Sequence, residues 1–262
     1  MSRIGEKFTE LKSTGSRGFI PFITAADPDI ANTELLLIEL ARAGADIIEL
    51  GVPFSDPVAD GEVIQRASQR ALRNGVTLSH ALDCAARARS RIGTPMVLFS
   101  YFNPLLQFGE ERLACEAKAA GIDGVLVTDL IPEEAQSWIE RLYQNDLDPI
   151  FLVAPTTSDE RLAHIAQRAR GFIYAISRAG VTGTRDALTR EAEELVRRIR
   201  AVSDLPVAVG FGVSTSEQVK EVWRFADAAV IGSAIVNEIE RLNGAPDLAS
   251  RIADFVRSLS AR

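Results

Sequence analysis

Eight short apolar runs recur along this chain of 262 residues, each followed by a turn rich in Gly, Pro, Asp or Ser and then a longer amphipathic stretch. The runs are Phe19 to Thr24, Asp46 to Leu50, Met96 to Tyr101, Gly124 to Thr128, Pro149 to Val153, Phe172 to Ser177, Pro206 to Gly210 and Ala228 to Gly232. Helical periodicity is clear at Thr33 to Ala43, Glu111 to Ala120, Glu133 to Tyr143, Glu160 to Ala169, Arg190 to Val202 and Glu217 to Phe225, with Gly44 and Gly121 as stops. The alternation is βα, and eight such units in a chain of this length are the arithmetic of an α/β fold of the (β/α)8 TIM-barrel type. An open doubly wound sheet gives a similar pattern, so closure is an inference. No linker-like stretch interrupts the chain, which predicts a single domain over 1–262. Ile4, Phe8 and Leu11 recur at helical spacing ahead of the first run and predict an N-terminal capping helix.

A composition of 47% hydrophobic and 25% charged residues excludes disordered and collagen-like classes. A chain this long buries roughly 75% of its unfolded surface without disulfide or metal staples. Cys84 and Cys115 have no CxxC or CxxH partner, so they read as buried free thiols in a reducing compartment. The net charge of −7 argues against nucleic acid or an anionic membrane as partner, and favours a small metabolite. The N-terminus lacks the apolar centre of a signal peptide and no run approaches membrane-span length, so the expected setting is cytoplasmic.

Barrel chemistry gathers at the C-terminal ends of the strands, and the residue types missing there narrow the reaction. The four lysines, Lys7, Lys12, Lys118 and Lys220, fall in helical stretches, which disfavours a Schiff base. His80 and His164 also fall in helices, where they read as surface histidines, and no metal site is expected. Carboxylates, tyrosines and backbone donors remain.

Glu49 ends an otherwise apolar strand, where burial would raise its pKa and let one carboxyl group give and then take a proton; the alternative is a structural carboxylate satisfied by a neighbour. Asp60 lies in the loop Pro53-Phe54-Ser55-Asp56-Pro57-Val58-Ala59-Asp60-Gly61 after the same strand, where an N-cap for the next helix is an equal reading. Glycine-bearing turns follow the last three strands: Ser177 to Gly183, which includes Thr182; Gly210-Phe211-Gly212; and Gly232-Ser233. Together they suggest backbone amides cradling a phosphate. Phe22, Phe99, Tyr101, Tyr174 and Phe211 stand at or near strand ends where a flat apolar ligand could pack, although core filling explains them equally well. The basic run Arg87 to Arg91 and the group Arg197, Arg198 and Arg200 read as solvated helix faces.

The stretch Glu49-Leu50-Gly51-Val52-Pro53-Phe54-Ser55-Asp56-Pro57-Val58-Ala59-Asp60-Gly61 closely resembles the signature of the tryptophan synthase alpha chain family. Phe22 to Pro28, Ser177 to Gly183, Gly210 to Gly212 and Ile231 to Ala234 extend the resemblance in family order along almost the whole chain. Ala26, Glu62, Thr128 and Ile131 depart from the family's usual residues, and none of them removes a catalytic position.

The resemblance implies a (β/α)8 barrel that cleaves indole-3-glycerol phosphate to indole and glyceraldehyde 3-phosphate with no cofactor of its own. It implies Glu49 as the proton shuttle and Asp60 as the partner of the ring N–H. It also implies phosphate contacts from Thr182, Gly183, Gly212, Gly232 and Ser233, and an indole pocket of Phe22, Phe99, Tyr101, Tyr174 and Phe211. The implied partner is a beta chain carrying pyridoxal phosphate, in an alpha-beta-beta-alpha heterotetramer, docked on Pro53 to Asp60 and Tyr101 to Pro104. Two other readings stand beside this one: a different phosphate-binding barrel enzyme, and a non-catalytic module that binds an indole phosphate and regulates a partner.

Overall fold

The eight expected strands form in a computed structural model that describes residues 2–176, 185–210 and 212–260. They are β1 (Gly18–Thr24), β2 (Ile48–Gly51), β3 (Met96–Ser100), β4 (Gly124–Val127), β5 (Asp148–Val153), β6 (Ile173–Ile176), β7 (Val207–Gly210) and β8 (Ala228–Ile231). Each pairs in parallel with the next, and β8 returns to β1 through the register Gly18 to Ala228 and Pro21 to Ile231, so the barrel is closed.

The helix α1 (Arg3–Ser13) precedes the barrel. After β1 comes α2 (Ile30–Arg42); after β2, α3 (Glu62–Arg73) and α4 (Leu78–Arg89); after β3, α5 (Phe102–Phe108) and α6 (Glu110–Ala119). Single helices follow the next four strands: α7 (Gln136–Gln144), α8 (Asp159–Ala166), α9 (Arg185–Arg200) and α10 (Ser216–Val222). Two more, α11 (Ser233–Arg241) and α12 (Leu248–Leu259), follow β8. Of these, α5, α11 and α12 are additions to the sequence reading, while α3 and α4 supply the bounds of the helix expected after Asp60 and of the helical stretch expected around His80. Among the described residues no helix is long and apolar enough to cross a membrane.

The strands are buried on both faces, which is why they read as apolar runs without alternation. Inside the barrel, Ile20, Ile47, Val97, Leu126, Ile150, Phe172 and Ala208 form one cluster. Ile4, Phe8 and Leu11 of α1 join it from below, and the Phe8 ring lies 5.8 Å from that of Phe172. The predicted capping helix is thus a plug, and each of its three buried side chains contributes roughly 1.5–3 kcal/mol.

A short device recurs at the plugged end. The helix α2 stops at Gly44 (φ +95°), the Ala45 amide bonds back to Leu40, and the Asp46 carboxylate then accepts the Phe19 amide at 2.8 Å. The helix α6 repeats it with Gly121 (φ +81°), Ile122 bonded to Ala117, and Asp123 accepting the Met96 amide at 3.0 Å. After α10, Asp227 accepts the Val207 amide at 2.9 Å. At Gly44 and Gly121 a left-handed residue ends the helix and the aspartate two positions later latches the start of the preceding strand, while Asp227 makes the same latch after α10 without one. Asp46 thus lies below β2, which begins at Ile48, and its own amide bonds to the Phe19 carbonyl at 3.0 Å.

Four further expectations are corrected here. Arg89 is no solvated side chain: it is 15% exposed, bonds to Asp123 at 2.9 Å and donates to the carbonyls of Gly121, Ile92 and Thr94. Arg198 bonds to Asp159 and to the Pro155 carbonyl at 3.0 Å. Cys84 is buried but Cys115 is exposed. His80 is exposed as expected, whereas His164 is half-buried, with its Nε2 enclosed.

Asp123 carries the most at this end, since Arg3, Arg89 and the Met96 amide all converge on it. Asp123→Ala should cost about 3 kcal/mol, because it leaves a buried amide and a mostly buried guanidinium without their acceptor. For a chain of this size that is a fall of roughly 6–12 °C in Tm, readable by thermal unfolding. A loss below about 1 °C would show that the latch contributes nothing to stability.

Candidate active site

Within β2 the side chains of Ile48 and Leu50 pack outward against the helices, while Ile47 joins the barrel interior and Glu49 shares its face by the two-residue period. In register, Glu49 stands beside Phe22 of β1 and Val97 of β3. It has no exposed surface, and neither carboxylate oxygen has a hydrogen-bond partner among the described residues. Burial pushes its pKa up to about 8. The reading of Glu49 as a structural carboxylate satisfied by a neighbour therefore fails.

Asp60 reaches the same cavity from the loop after β2. The N-cap of α3 is Gly61, not Asp60. The Asp60 backbone is held instead by its own amide bonding to Pro57 at 3.0 Å and by Gln65 Nε2 donating to its carbonyl at 2.8 Å. Burial raises its pKa to about 6, and a hydrogen bond from Tyr101 holds the rise in check. At pH 7 one carboxyl of the cavity is therefore protonated and the other ionised.

The cavity is about 420 Å³ and opens at the C-terminal ends of the strands. Glu49, Asp60, Phe22, Phe99, Tyr174, Gly212, Gly232 and Ser233 all line it. Phe22 meets Phe99 edge to face at 5.3 Å, and a Cβ at Gly51 would lie 2.5 Å from the tip of the Phe22 ring. Glycine is therefore required at position 51 for this wall to stand. Tyr174 is raised well above its ordinary pKa by burial and by the two nearby carboxyl groups, so its hydroxyl stays neutral.

At the far side of the mouth, Gly212 has φ +45° and open space where a Cβ would sit. Gly232 is the N-cap of α11 and lines the mouth with Ser233; its carbonyl accepts the Ile235 and Val236 amides, which leaves the Ser233 and Ala234 amides as the first-turn donors without a helical partner. Thr182, Gly183 and Phe211 lie outside the described residues.

Tyr101 departs from its expected place, since it does not line the cavity. It is the N-cap of α5, almost fully buried, and its hydroxyl accepts the Ala59 amide at 3.0 Å while its ring packs 5.2 Å from Phe54. It braces the Asp60 loop from behind. Conversely, Leu152, Ile176 and Val230 line the cavity without having been singled out. Each stands two positions beyond an inward core residue, Ile150, Tyr174 and Ala228 respectively, so strand parity was the signal that could have found them.

A second cavity of about 390 Å³ lies at the plugged end, lined by α1 and the segment before β7. None of the orphaned buried polar atoms faces it, and its Arg200 is already paired with Asp227. Among the described residues no three His, Cys, Asp or Glu side chains gather as a metal-binding set, and no lysine lines the C-terminal cavity.

The enclosure of Glu49 has a measurable cost. The folded state holds this proton more tightly than the unfolded chain, where the group titrates near 4.5, so stability falls as pH rises from about 4.5 through about 8. Glu49→Gln removes the titration. The variant should be more stable than the parent by roughly 3–5 kcal/mol at pH 9, with the gap closing by pH 4.5. Parallel stability curves for the two proteins across that range, followed by denaturant unfolding, would refute the enclosed carboxyl.

Residues 8–261 match the family model described as tryptophan synthase alpha chain. The tryptophan synthase alpha chain of Citrifermentans bemidjiense is 47% identical over 99% of this chain and 97% of its own, and that of Geobacter sulfurreducens 48% identical over 99% and 98%. Among solved structures, tryptophan synthase subunit alpha from Legionella pneumophila superposes with a TM-score of 0.91 at 36% identity, covering 99% of this chain and 97% of that one. Tryptophan synthase from Mycobacterium tuberculosis gives a TM-score of 0.90 at 38% identity, covering 99% and 97%. With a closed eight-stranded barrel, a family match over nearly its full length and relatives of this identity, the chain belongs to the tryptophan synthase alpha chain family.

Proposed function

We propose that Glu49 and Asp60 divide the family's reaction between them, the retro-aldol cleavage of indole-3-glycerol phosphate to indole and glyceraldehyde 3-phosphate. The observation that carries this reading is that two carboxyl groups line one cavity in different settings, Glu49 fully enclosed with no hydrogen-bond partner and Asp60 half-buried on a loop, and burial accordingly pushes Glu49 up to about 8 and Asp60 to about 6. Neutral Glu49 gives its proton to C3 of the indole, and the ring becomes a cationic indolenine. Ionised Asp60 accepts the ring N–H and offsets the charge that develops on nitrogen. Glu49, now a carboxylate, takes the proton of the glycerol hydroxyl next to C3. The oxygen's electron pair forms the aldehyde, the bond to C3 breaks, and its pair restores the indole. Glu49 ends as it began, protonated, and the substrate ring serves as the electron sink in place of a cofactor.

The rest of the cavity supports the two ends of that substrate. Phe22, Phe99 and Tyr174 supply flat apolar walls for the indole, while Gly212, Gly232 and Ser233 place backbone amides where the phosphate would lie. Tyr101 serves as a brace and not as a wall in this reading. The chain acts as one barrel domain over 1–262 in a cytoplasmic setting, and a beta chain that carries pyridoxal phosphate consumes the indole in an alpha-beta-beta-alpha heterotetramer. The exposed apolar side chains Val58, Leu106 and Ile131, on loops and a helix that follow β2, β3 and β4, favour docking at the cavity's end of the barrel.

Release of indole by the purified chain alone separates an enzyme from a non-catalytic module. The expected kcat/KM profile is a bell, rising through about pH 6 as Asp60 ionises and falling through about pH 8 as Glu49 does. Glu49→Gln should lose about 10²–10⁴ in kcat with substrate affinity retained. A profile that keeps rising above pH 9, or near-normal turnover of the variant, would remove Glu49 from the chemistry.

Gly212→Asp tests the other end of the cavity. It brings a side chain to a left-handed position and a negative charge to the anion site, so affinity for glycerol 3-phosphate should fall at least tenfold, with indole binding changed less than twofold. Calorimetry with each ligand decides it, since equal losses for both would mean a general distortion.

A further inference from the structure

The helix that follows the Asp60 loop is tied to the helix that opens at the phosphate end, and the tie is one arginine. Arg70 of α3 grips the buried Asp27 with both arms of its fork, Nε to Oδ1 at 2.8 Å and Nη2 to Oδ2 at 2.9 Å. Its remaining nitrogen, Nη1, reaches Oε1 of Glu240 on α11 at 2.6 Å. Arg66, one turn earlier on α3, closes on the same Glu240 from outside, with Nη2 to Oε2 at 2.8 Å. Asp27 belongs to the loop after β1, so three separate elements meet at the Arg70 guanidinium.

This clip lies over a small apolar cluster set apart from the two large ones. Phe22 of β1, Ile64 and Ala67 of α3, and Val236 of α11 pack together there. Phe22 and Ile64 also face the cavity, so the cluster is the wall between the clip and the substrate site. At one end of α3, Gln65 holds the Asp60 carbonyl at 2.8 Å. At the N-terminal end of α11, Gly232 and Ser233 line the mouth. The chain path therefore runs from Asp60 through α3 and Arg70 to Glu240 and along α11 to the anion site.

Charge and burial make the clip stiff. Asp27 is 1% exposed, and desolvation raises its pKa although Arg70 opposes the rise. The Arg70 side chain is itself only 17% exposed. A buried carboxylate with a planar fork against both its oxygens has one good geometry, and a lysine ammonium cannot reproduce it while also reaching Glu240.

We propose that Arg70 is a positioning residue: by bridging Asp27 and Glu240 it fixes α3 against α11 and so sets the span between Asp60 and the amides at Gly232 and Ser233. Arg70 touches no substrate in this role. The inference rests on the reading of the cavity as an indole-3-glycerol phosphate site, and the span matters only to a molecule that reaches both ends.

That condition defines the test. Calorimetry on the parent and on Arg70→Lys uses three probes: indole for the apolar end, glycerol 3-phosphate for the anion end, and a non-cleavable indole-alkyl phosphate that joins the two. Arg70→Lys should bind each fragment within twofold of the parent, yet bind the joined probe at least tenfold more weakly and cleave substrate with kcat/KM reduced by as much. Glu240→Gln is the second variant, since it keeps the Asp27 grip and loosens only α11, and a smaller loss confined to the joined probe is expected there. Loss of the joined probe no greater than the fragments' losses combined, in both variants, overturns the proposal. Failure of the parent itself to bind the joined probe or to release indole would instead sink the reading of the site.

Discussion

A carboxyl group enclosed with no hydrogen-bond partner keeps its proton at neutral pH, and the site at the mouth of this barrel depends on that constraint at Glu49. The strand that carries it is covered on both faces, so nothing polar can approach from the sides, and its oxygens look only into the cavity. A second carboxyl in a different environment lines the same cavity. Asp60 supplies it from a loop, half-buried and hydrogen-bonded by Tyr101, and so ionises about two pH units lower. Two residues of similar chemistry thereby take opposite states because one sits on a strand and the other on a loop.

The two ends of the barrel divide stability from chemistry. At the plugged end aspartates are spent on amides and arginines: Asp46, Asp123 and Asp227 all have partners and make the strands start where they do. At the open end Glu49 alone is left without such a partner, and the glycine at 51 keeps room for the Phe22 ring. Between the ends, Arg70 ties α3, which follows the Asp60 loop, to α11, which opens at Gly232.

Much of this was legible in the chain because burial on both faces turns each strand into an apolar run, and a glutamate inside such a run has no innocent explanation. The helices α3 and α4 carry a helical pattern that was legible but left without bounds, with Ile64, Ala67, Ser68 and Ala71 buried on one face of α3 and Leu78, Ala81, Leu82, Ala85 and Ala88 on one face of α4. The helix α5 has only seven residues. Tyr101 was misplaced for a local reason: parity with Val97 and Phe99 points it inward, but α5 begins at the next residue and the backbone has already turned. Asp60 could not be told from a helix cap until Gly61 was seen in that position. Arg70, Arg89 and Arg198 look like surface charges in a helix, and only the partners brought by distant segments, Asp27, Asp123 and Asp159, show otherwise.

The aspartate latches also decide how the chain's entropy is distributed over the ring. Asp46 to Phe19, Asp123 to Met96 and Asp227 to Val207 close loops of 27, 27 and 20 residues, each containing one strand and the connection to the next. Bringing β8 back to β1 joins segments far more distant, as the bond from Trp223 Nε1 to the Gly18 carbonyl across 205 residues records. Closing that span from an open chain costs roughly 2 kcal/mol more than closing one latch. Local ties draw neighbouring strands together at little entropic cost, so most of the distance is already removed before the first and last strands meet. The barrel is a row of short closures with a single long seam, and the seam runs along β1, the strand whose other neighbour carries Glu49.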